Sequence, residues 1–396
     1  MTPIHTFMKE MEQISIMKIS SWVKYATGVT VAAAMLAACS SGGSSSLGPS
    51  GVAPAGHLTG GMTLAKLRDA SLTMPHYVQP NVHPDHSASF IKIDKKKKAG
   101  GLLYVGDDET DDVYVYDYPS GTSVGTLTGF SGPYGECTDS SGDVYIANFD
   151  DENAVEYGYN GTKVLNTFDV SGGTPIGCSV DSKGDVAVTS FDPGEVEVFA
   201  GGNPDKGTLY SGGSCYYLWT MGYDSSGDLI GVGENEDGGR EYCGLLSGGT
   251  SVTSLSFSGT IDFAGGTKWD GEYIALGDQE AGGTYVTGVY PATLKGSTLT
   301  AVGSEVDFDG NCYSDYNDDV NPFFTNGKTN ISPDKKTKST RANTMVGPNL
   351  WCESEGKGGA VDVWAYPAGG DPSSSLKSPS EDPYGAAVVY AKKKKK

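Results

Sequence analysis

The sequence predicts an all-β fold, a six-bladed β-propeller of four-stranded antiparallel blades. Three observations predict it. The 396 residues include 57 glycines, 23 tyrosines against 12 phenylalanines, and only 19% charged residues, a composition of many short strands and tight turns. A unit of about 43 residues repeats along the chain, as stacked supersecondary units do. A lone strand near the C-terminus matches the opening strand of that unit, so it completes the first blade and closes a ring.

The repeats begin at Gly132 ("GPYGECTDSSGDVYIANFDDENAVEYGYNG"), Gly173 ("GTPIGCSVDSKGDVAVTSFDPGEVEVFAGG"), Tyr216 ("YYLWTMGYDSSGDLIGVGENEDGGREYCGLLSGG") and, more diverged, Gly265 ("GGTKWDGEYIALGDQEAGGTYVTGVY"). Asp139, Asp181, Asp224 and Asp270 open the first hairpin turn of each, at spacings of 42, 43 and 46 (181−139, 224−181, 270−224). Each unit has one grammar. A first strand ends in an Asp-Ser-x-Gly-Asp-like turn, whose glycine supplies a left-handed residue. An alternating second strand, an acidic loop, a third strand, a Gly-rich turn and a fourth strand follow.

Leu102 to Gly129 supplies second, third and fourth strands without a first, and "EDPYGAAVVYA" supplies a first strand alone, matching "SGPYGECTD". The sixth blade then carries an insertion between Asp307 and Asn343. Seven blades are the alternative, because the segment from Asp278 to Trp351 exceeds one repeat. The repeat resembles the six-bladed propellers of the NHL, TolB-like and gluconolactonase-like group over about Ala99 to Tyr390. That resemblance implies the fold and leaves activity open.

The chain divides into four parts: 1–39, 40–98, 99–391 and a lysine tail at 392–396. In the first, Lys18 and Lys24 precede an apolar core from Ala26 to Ala38, too short to span a bilayer and suited to a signal peptide. "LAAC", Leu36 to Cys39, resembles the lipobox of bacterial lipoproteins, in which the cysteine is acylated and becomes the mature N-terminus. An ordinary signal peptide with a chance cysteine is the alternative. Met1 to Ile16 is unlike a signal n-region, which makes Met17 a candidate start. By the same resemblance, Ser40 after the cysteine favours outer-membrane sorting in a Gram-negative host. Residues 40–98, rich in Ser, Gly, Pro and His, read as a flexible tether. The expected location is the cell envelope, facing outside the cytoplasm and anchored to the membrane by lipid.

Function is read from the loops. The stretch "LYVGDDETDDVYVYDYPSG" places Asp107, Asp108, Glu109, Asp111 and Asp112 around one turn between second and third strands. Counterparts are Asp150, Asp151 and Glu152; Asp192; Glu234, Glu236 and Asp237; Asp278 and Glu280; and Glu353 and Glu355. In a propeller these loops share one face. First strands start on that face too, which brings Tyr134, Tyr216, Tyr217, Trp219 and Tyr384 towards the mouth. The expectation is a ligand- or cation-binding face of Asp107, Asp108, Asp150, Asp151, Asp192, Glu234, Asp278, Tyr134, Trp219 and Tyr384, open to a cationic, sugar or protein partner. The competing reading is aspartate as turn chemistry and solubility device.

Residues 99–391 hold 44 acids and 13 bases, with no Lys or Arg between Lys98 and Lys163. Such an imbalance repels itself, and a bound cation or basic partner relieves it. The net charge of −21 excludes nucleic acid, which needs a basic face.

Calcium is the cofactor with a candidate loop, "DFDGNCYSDYNDD", where Asp307, Asp309, Asn311 and Asp315 are spaced to supply oxygens. Its glycine is misplaced for an EF-hand, and a solvated loop is the alternative. All five histidines precede the propeller, so it has no His–Ser or His–Cys catalysis and no imidazole metal site. Two alternatives to a binding module stand: a metal-dependent gluconolactonase-like hydrolase and a structural envelope protein. Beyond Cys39, six cysteines outside the cytoplasm suggest three disulfides. The blade arrangement pairs Cys137 with Cys178, Cys215 with Cys243, and Cys312 with Cys352. The lysine runs 95–98 and 392–396 should emerge together on the face opposite the acidic loops, against anionic headgroups or as solvated tails.

Overall fold

A computed structural model of the chain describes residues 88–93, 100–108, 110–171, 173–235, 237–261, 264–278, 287–308, 323–333, 341–349, 360–377 and 383–392. All lie in the unit His83–Lys396. Outside them lie residues 1–87, with Cys39 and most of the segments read as signal peptide and tether, together with Lys95 to Lys98 and Lys393 to Lys396. So do Asp309, Asn311, Asp315, Cys312, Cys352, Glu109, Glu236, Glu280, Glu353 and Glu355.

The described strands are β1 (Phe90–Ile91), β2 (Gly101–Asp107), β3 (Asp112–Tyr118), β4 (Thr122–Leu127), β5 (Pro133–Thr138), β6 (Val144–Asn148), β7 (Asn153–Tyr157) and β8 (Val164–Asp169). They continue as β9 (Pro175–Val180), β10 (Val186–Ser190), β11 (Glu195–Phe199), β12 (Gly207–Ser211), β13 (Tyr217–Tyr223), β14 (Leu229–Glu234), β15 (Arg240–Leu245), β16 (Thr253–Phe257) and β17 (Ala264–Trp269). The rest are β18 (Ile274–Asp278), β19 (Thr287–Lys295), β20 (Thr298–Ala301), β21 (Val306–Phe308), β22 (Phe323–Thr325), β23 (Thr344–Asn349), β24 (Ala360–Ala365), β25 (Ser374–Lys377) and β26 (Pro383–Val389).

The arrangement is propeller-like. β5 to β8, β9 to β12 and β22 to β25 each form a four-stranded antiparallel sheet in chain order. β13 to β16 and β17 to β20 are two more antiparallel runs of four, joined into one nine-stranded sheet by a parallel β16–β20 pair, with β21 on β19. The first sheet has the order β1-β4-β3-β2-β26. Its C-terminal strand pairs antiparallel with β2 from Leu102↔Val389 to Gly106↔Gly385, as the repeated "PYG" led one to expect. β1 lies ahead of residue 99 and caps the outer edge of this sheet, so strand structure starts inside the segment read as tether.

Innermost strands touch in sequence: β26 with β5, β5 with β9, β9 with β13, β13 with β17, β17 with β22, and β22 with β26. Apolar clusters fill the gaps between successive sheets. Leu102, Tyr104 and Val115 pack on Val144 and Ile146, Tyr145 and Phe168 on Val188 and Phe199, and Val196 on Leu218 and Met221. Beyond these, Val289 packs on Phe324 and Met345, and Val346 and Val363 on Leu103 and Tyr116. Alternating strand residues face opposite sides, so each sheet contributes to two clusters.

The turns that set this spacing use aspartate as a backbone acceptor. Asp139 Oδ1 accepts from the amides of Ser141 and Asp143, Asp181 Oδ1 from Lys183 and Asp185, Asp224 Oδ1 from Ser226 and Asp228, and Asp270 Oδ1 from Glu272 and Tyr273. The glycines of the first three turns, Gly142, Gly184 and Gly227, have φ of 93°, 86° and 86°, which a side chain would strain. Cys137–Cys178 joins the inner strands of adjacent sheets and Cys215–Cys243 lies within one, the two expected pairs inside the described residues.

Candidate functional site

The acidic loops begin where second strands end, and strand geometry decides which carboxylates reach the surface. Asp107 and Asp278 are the last residues of β2 and β18 and are buried, not on an exposed rim. Asp107 Oδ1 accepts from the Thr110 amide at 3.1 Å and its hydroxyl at 2.9 Å, so it holds the turn. Asp108 is half-buried, while Asp150, Asp151 and Asp192 are exposed.

The first two loops are tied together. Asp111 Oδ1 accepts from the Gly132 amide at 2.8 Å, just before β5. Asn148 accepts from the Ser131 amide and donates to Asp151 Oδ2 at 2.9 Å. Asp111 and Glu152 occupy matching positions before β3 and β7, both left-handed, with φ of 56° and 53°. Non-glycine residues there are uncommon, and short polar ones tolerate it best. Although Asp150 keeps an exposed surface, its carboxyl is pushed up to about 6, first by desolvation within the loop and then by the charges of Asp111 and Asp151.

Glu234 differs. It faces Arg240 across the β14–β15 hairpin at 3.7 Å, and the Arg240 guanidinium lies 4.5 Å over the Trp219 ring. Burial raises the Glu234 carboxyl against the opposing pull of Arg240.

Aromatic residues form two groups beneath the loops. Tyr134 sits between Phe149 at 4.8 Å and Tyr384 at 4.3 Å, joining β5 to the closing strand. Phe191 stacks on Tyr217 at 4.9 Å and meets Trp219 at 4.6 Å. Tyr134, Trp219 and Tyr384 are all buried, so they floor the loops instead of standing free at the mouth. Burial and the nearby Tyr384, Asp108 and Asp150 hold the Tyr134 phenol well above its ordinary range.

Sequence reading missed the pair below. Glu136 on β5 is 4% exposed, and neither carboxylate oxygen has a hydrogen-bond partner of good geometry. It packs against Gly106 and Gly385, which are register partners; a Cβ on either would collide with its carboxylate. Lys268 on β17 reaches the Cys178 carbonyl of β9, with Nζ at 3.5 Å. Lys268 is partly buried, and desolvation draws its pKa down to about 8 against the opposing charge of Glu136. Burial drives Glu136 well above the carboxylate range, tempered by the Gly106 amide and Lys268. No local motif marks either residue; the signal is a lone Glu and a lone Lys at inner-strand positions.

Among the described residues, ligand atoms of Cys215, Glu241 and Cys243 also cluster. Of the expected calcium ligands only Asp307 is described, on β21, where its carbonyl accepts from the Gly370 amide.

No protein-family model matches the chain, and no curated protein does. Solved structures do. A chain from the nidogen/laminin complex overlaps with a TM-score of 0.52 at 12% identity, covering 74% of this chain and 99% of that one. A protein of unknown function from Bacteroides caccae overlaps with a TM-score of 0.50 at 10% identity, covering 73% and 99%. TolB from Acinetobacter baumannii gives 0.47 at 15% identity, covering 73% and 66%. At these identities the likeness to the first two is one of fold alone, and with the sheet arrangement it supports a β-propeller.

Proposed function

We propose that this chain is a lipid-anchored, extracytoplasmic, six-bladed propeller that works as a binding module, taking a cation or a basic partner on its acidic loops. The unbroken succession of inner-strand contacts supports six blades. The disulfides suit an oxidising compartment. The observation that carries the binding reading is the convergence of the first two loops. Asp111 and Asp151 bear on Asp150, Asp108 and Asp150 bear on Tyr134, and hydrogen bonds from the Gly132 amide and the Asn148 side chain hold Asp111 and Asp151 in place. Carboxylates held together in this way repel at neutral pH, and a cation placed among them gains what they lose.

The test is a thermal melt of the mature domain with calcium, and separately with a lysine-rich peptide, for the parent and an Asp108→Asn/Asp150→Asn/Asp151→Asn variant. A ligand that binds only the folded state must raise Tm. The expected result is a rise in the parent that the variant loses, together with a higher Tm of the variant alone. A parent Tm unmoved by either probe overturns the reading.

A further inference from the structure

Of the two described disulfides, one has a carboxylate at its sulfur. Cys215 Sγ lies 3.8 Å from Glu241 Oε1, and one ligand atom each from Cys215, Glu241 and Cys243 lie within 4.8 Å of one another. Both cysteines are fully buried and Glu241 is partly so. The carboxylate is held from behind. Ser254 Oγ donates to the same Oε1 at 2.7 Å, and Ser214 Oγ lies 3.1 Å from Ser254 Oγ while accepting from the Ser254 amide at 3.0 Å. At Cys137–Cys178 the acceptors near Cys178 Sγ are the Tyr145 and Gly135 carbonyls, at 3.6 and 4.0 Å.

We infer that the Cys215–Cys243 disulfide is the closed form of a zinc site, in which the two thiolates and Glu241 bind Zn²⁺ once the bridge is opened. The chemistry balances with a small dithiol as reductant. It transfers two electrons and two protons to the cystine, leaving Cys215 and Cys243 as thiols and itself as a cyclic disulfide. Zinc then displaces both thiol protons and adds the Glu241 carboxylate, with a fourth position open to water. Tetrahedral zinc holds sulfurs at about 2.3 Å and carboxylate oxygens at about 2.0–2.2 Å, so two sulfurs stand about 3.8 Å apart. Opening the bridge frees both sulfurs, one on β15 and one in the turn before β13, to reach that separation. Charge supplies the selectivity. A carboxylate beside a thiol opposes thiolate formation, and a divalent cation between them reverses that sign. The serine pair aims the carboxylate, as partners behind a ligand do.

The test reduces the full chain with a dithiol, removes reductant, and titrates Zn²⁺ in competition with a chromophoric chelator. The expected result is one more tightly held zinc in the reduced parent than in the oxidised parent or in Cys215→Ser. Glu241→Gln should weaken it at least about tenfold, and Ser254→Ala, which keeps every ligand, by less. Cobalt in place of zinc should show thiolate-to-metal absorption that Cys215→Ser loses. Unchanged affinity in Glu241→Gln, or equal zinc in the parent and Cys215→Ser, overturns the inference. Where reduction unfolds the chain, zinc present throughout should preserve the native melt; unfolding despite zinc also overturns it.

Discussion

Lys268→Met tests the inner pair through the pH dependence of stability. In the unfolded chain Lys268 holds its proton to about 10.5, and in the folded protein it gives it up near 8. Between those values the unfolded state binds more protons, so stability rises with pH. Below 8 both states are protonated and the contribution is flat. The displacement of about 2.5 pH units, at about 1.4 kcal/mol each, sets an upper figure of about 3 kcal/mol. The partial exposure of Lys268 reduces that to about 2 kcal/mol, and at about 2 °C per kcal/mol for a domain of this size the rise in Tm is about 4 °C.

Other groups stay clear of the window. Asp143 and Asp150 titrate near 6, and what their raised pKa contributes is already lost by pH 7. The buried tyrosines, such as Tyr223 and Tyr366, are raised above 10, so they lower stability only beyond pH 10. Glu136 shares the proton equilibrium with Lys268, so the quantity to read is the difference between parent and variant from pH 7.5 to 10. The assay is urea unfolding at fixed temperature across that range. The parent should gain stability relative to Lys268→Met as pH rises. Parallel profiles would show that the ammonium is not desolvated and refute the argument.

Three further outcomes are expected. Ending the chain at residue 382 removes β26, whose residues are all buried, and should abolish the cooperative melt by circular dichroism; a normal melt would remove ring closure. Gly385→Val drives a side chain into both the Glu136 carboxylate and the Tyr134 backbone carbonyl and should prevent soluble expression even with Glu136→Ala alongside, whereas a soluble variant with a normal melt would show that the seat is not closed. Asp181→Ala strips the acceptor from two turn amides and should cost about 1–2 kcal/mol in urea unfolding, while a change below a few tenths would show that the turn holds without it.

Short-range chemistry was the legible part. The Asp-x-x-Gly-Asp turns announce themselves because one aspartate must accept two amides and one glycine must go left-handed, both local demands. The closing strand was legible because "PYG" recurs. What failed depends on distance. Asp107 and Asp278 carry loop composition, but each belongs to the preceding strand by one residue, and that step takes it inside. β1 is two residues long and pairs only because an outer edge was open. The parallel β16–β20 contact joins two units whose strands gave no sign of meeting. Glu136 and Lys268 are 132 positions apart (268−136), and nothing but the ring brings their strands within electrostatic reach. The acidic loops were found, yet which carboxylates face solvent came from side-chain alternation near each turn.

The first sheet borrows its innermost strand from the far end of the chain, which sets the order in which the protein can come into being. β2, β3 and β4 leave the ribosome early and must wait about 260 residues for β26, so the order of synthesis is not the order of completion. Until Val389 has emerged, the inner edge of β2 has no hydrogen-bonding partner and the Gly106–Gly385 seat for Glu136 does not exist. A nascent chain of any shorter length is therefore a row of unclosed sheets. That state leaves open sheet edges and is vulnerable to a neighbouring chain that offers a strand of its own.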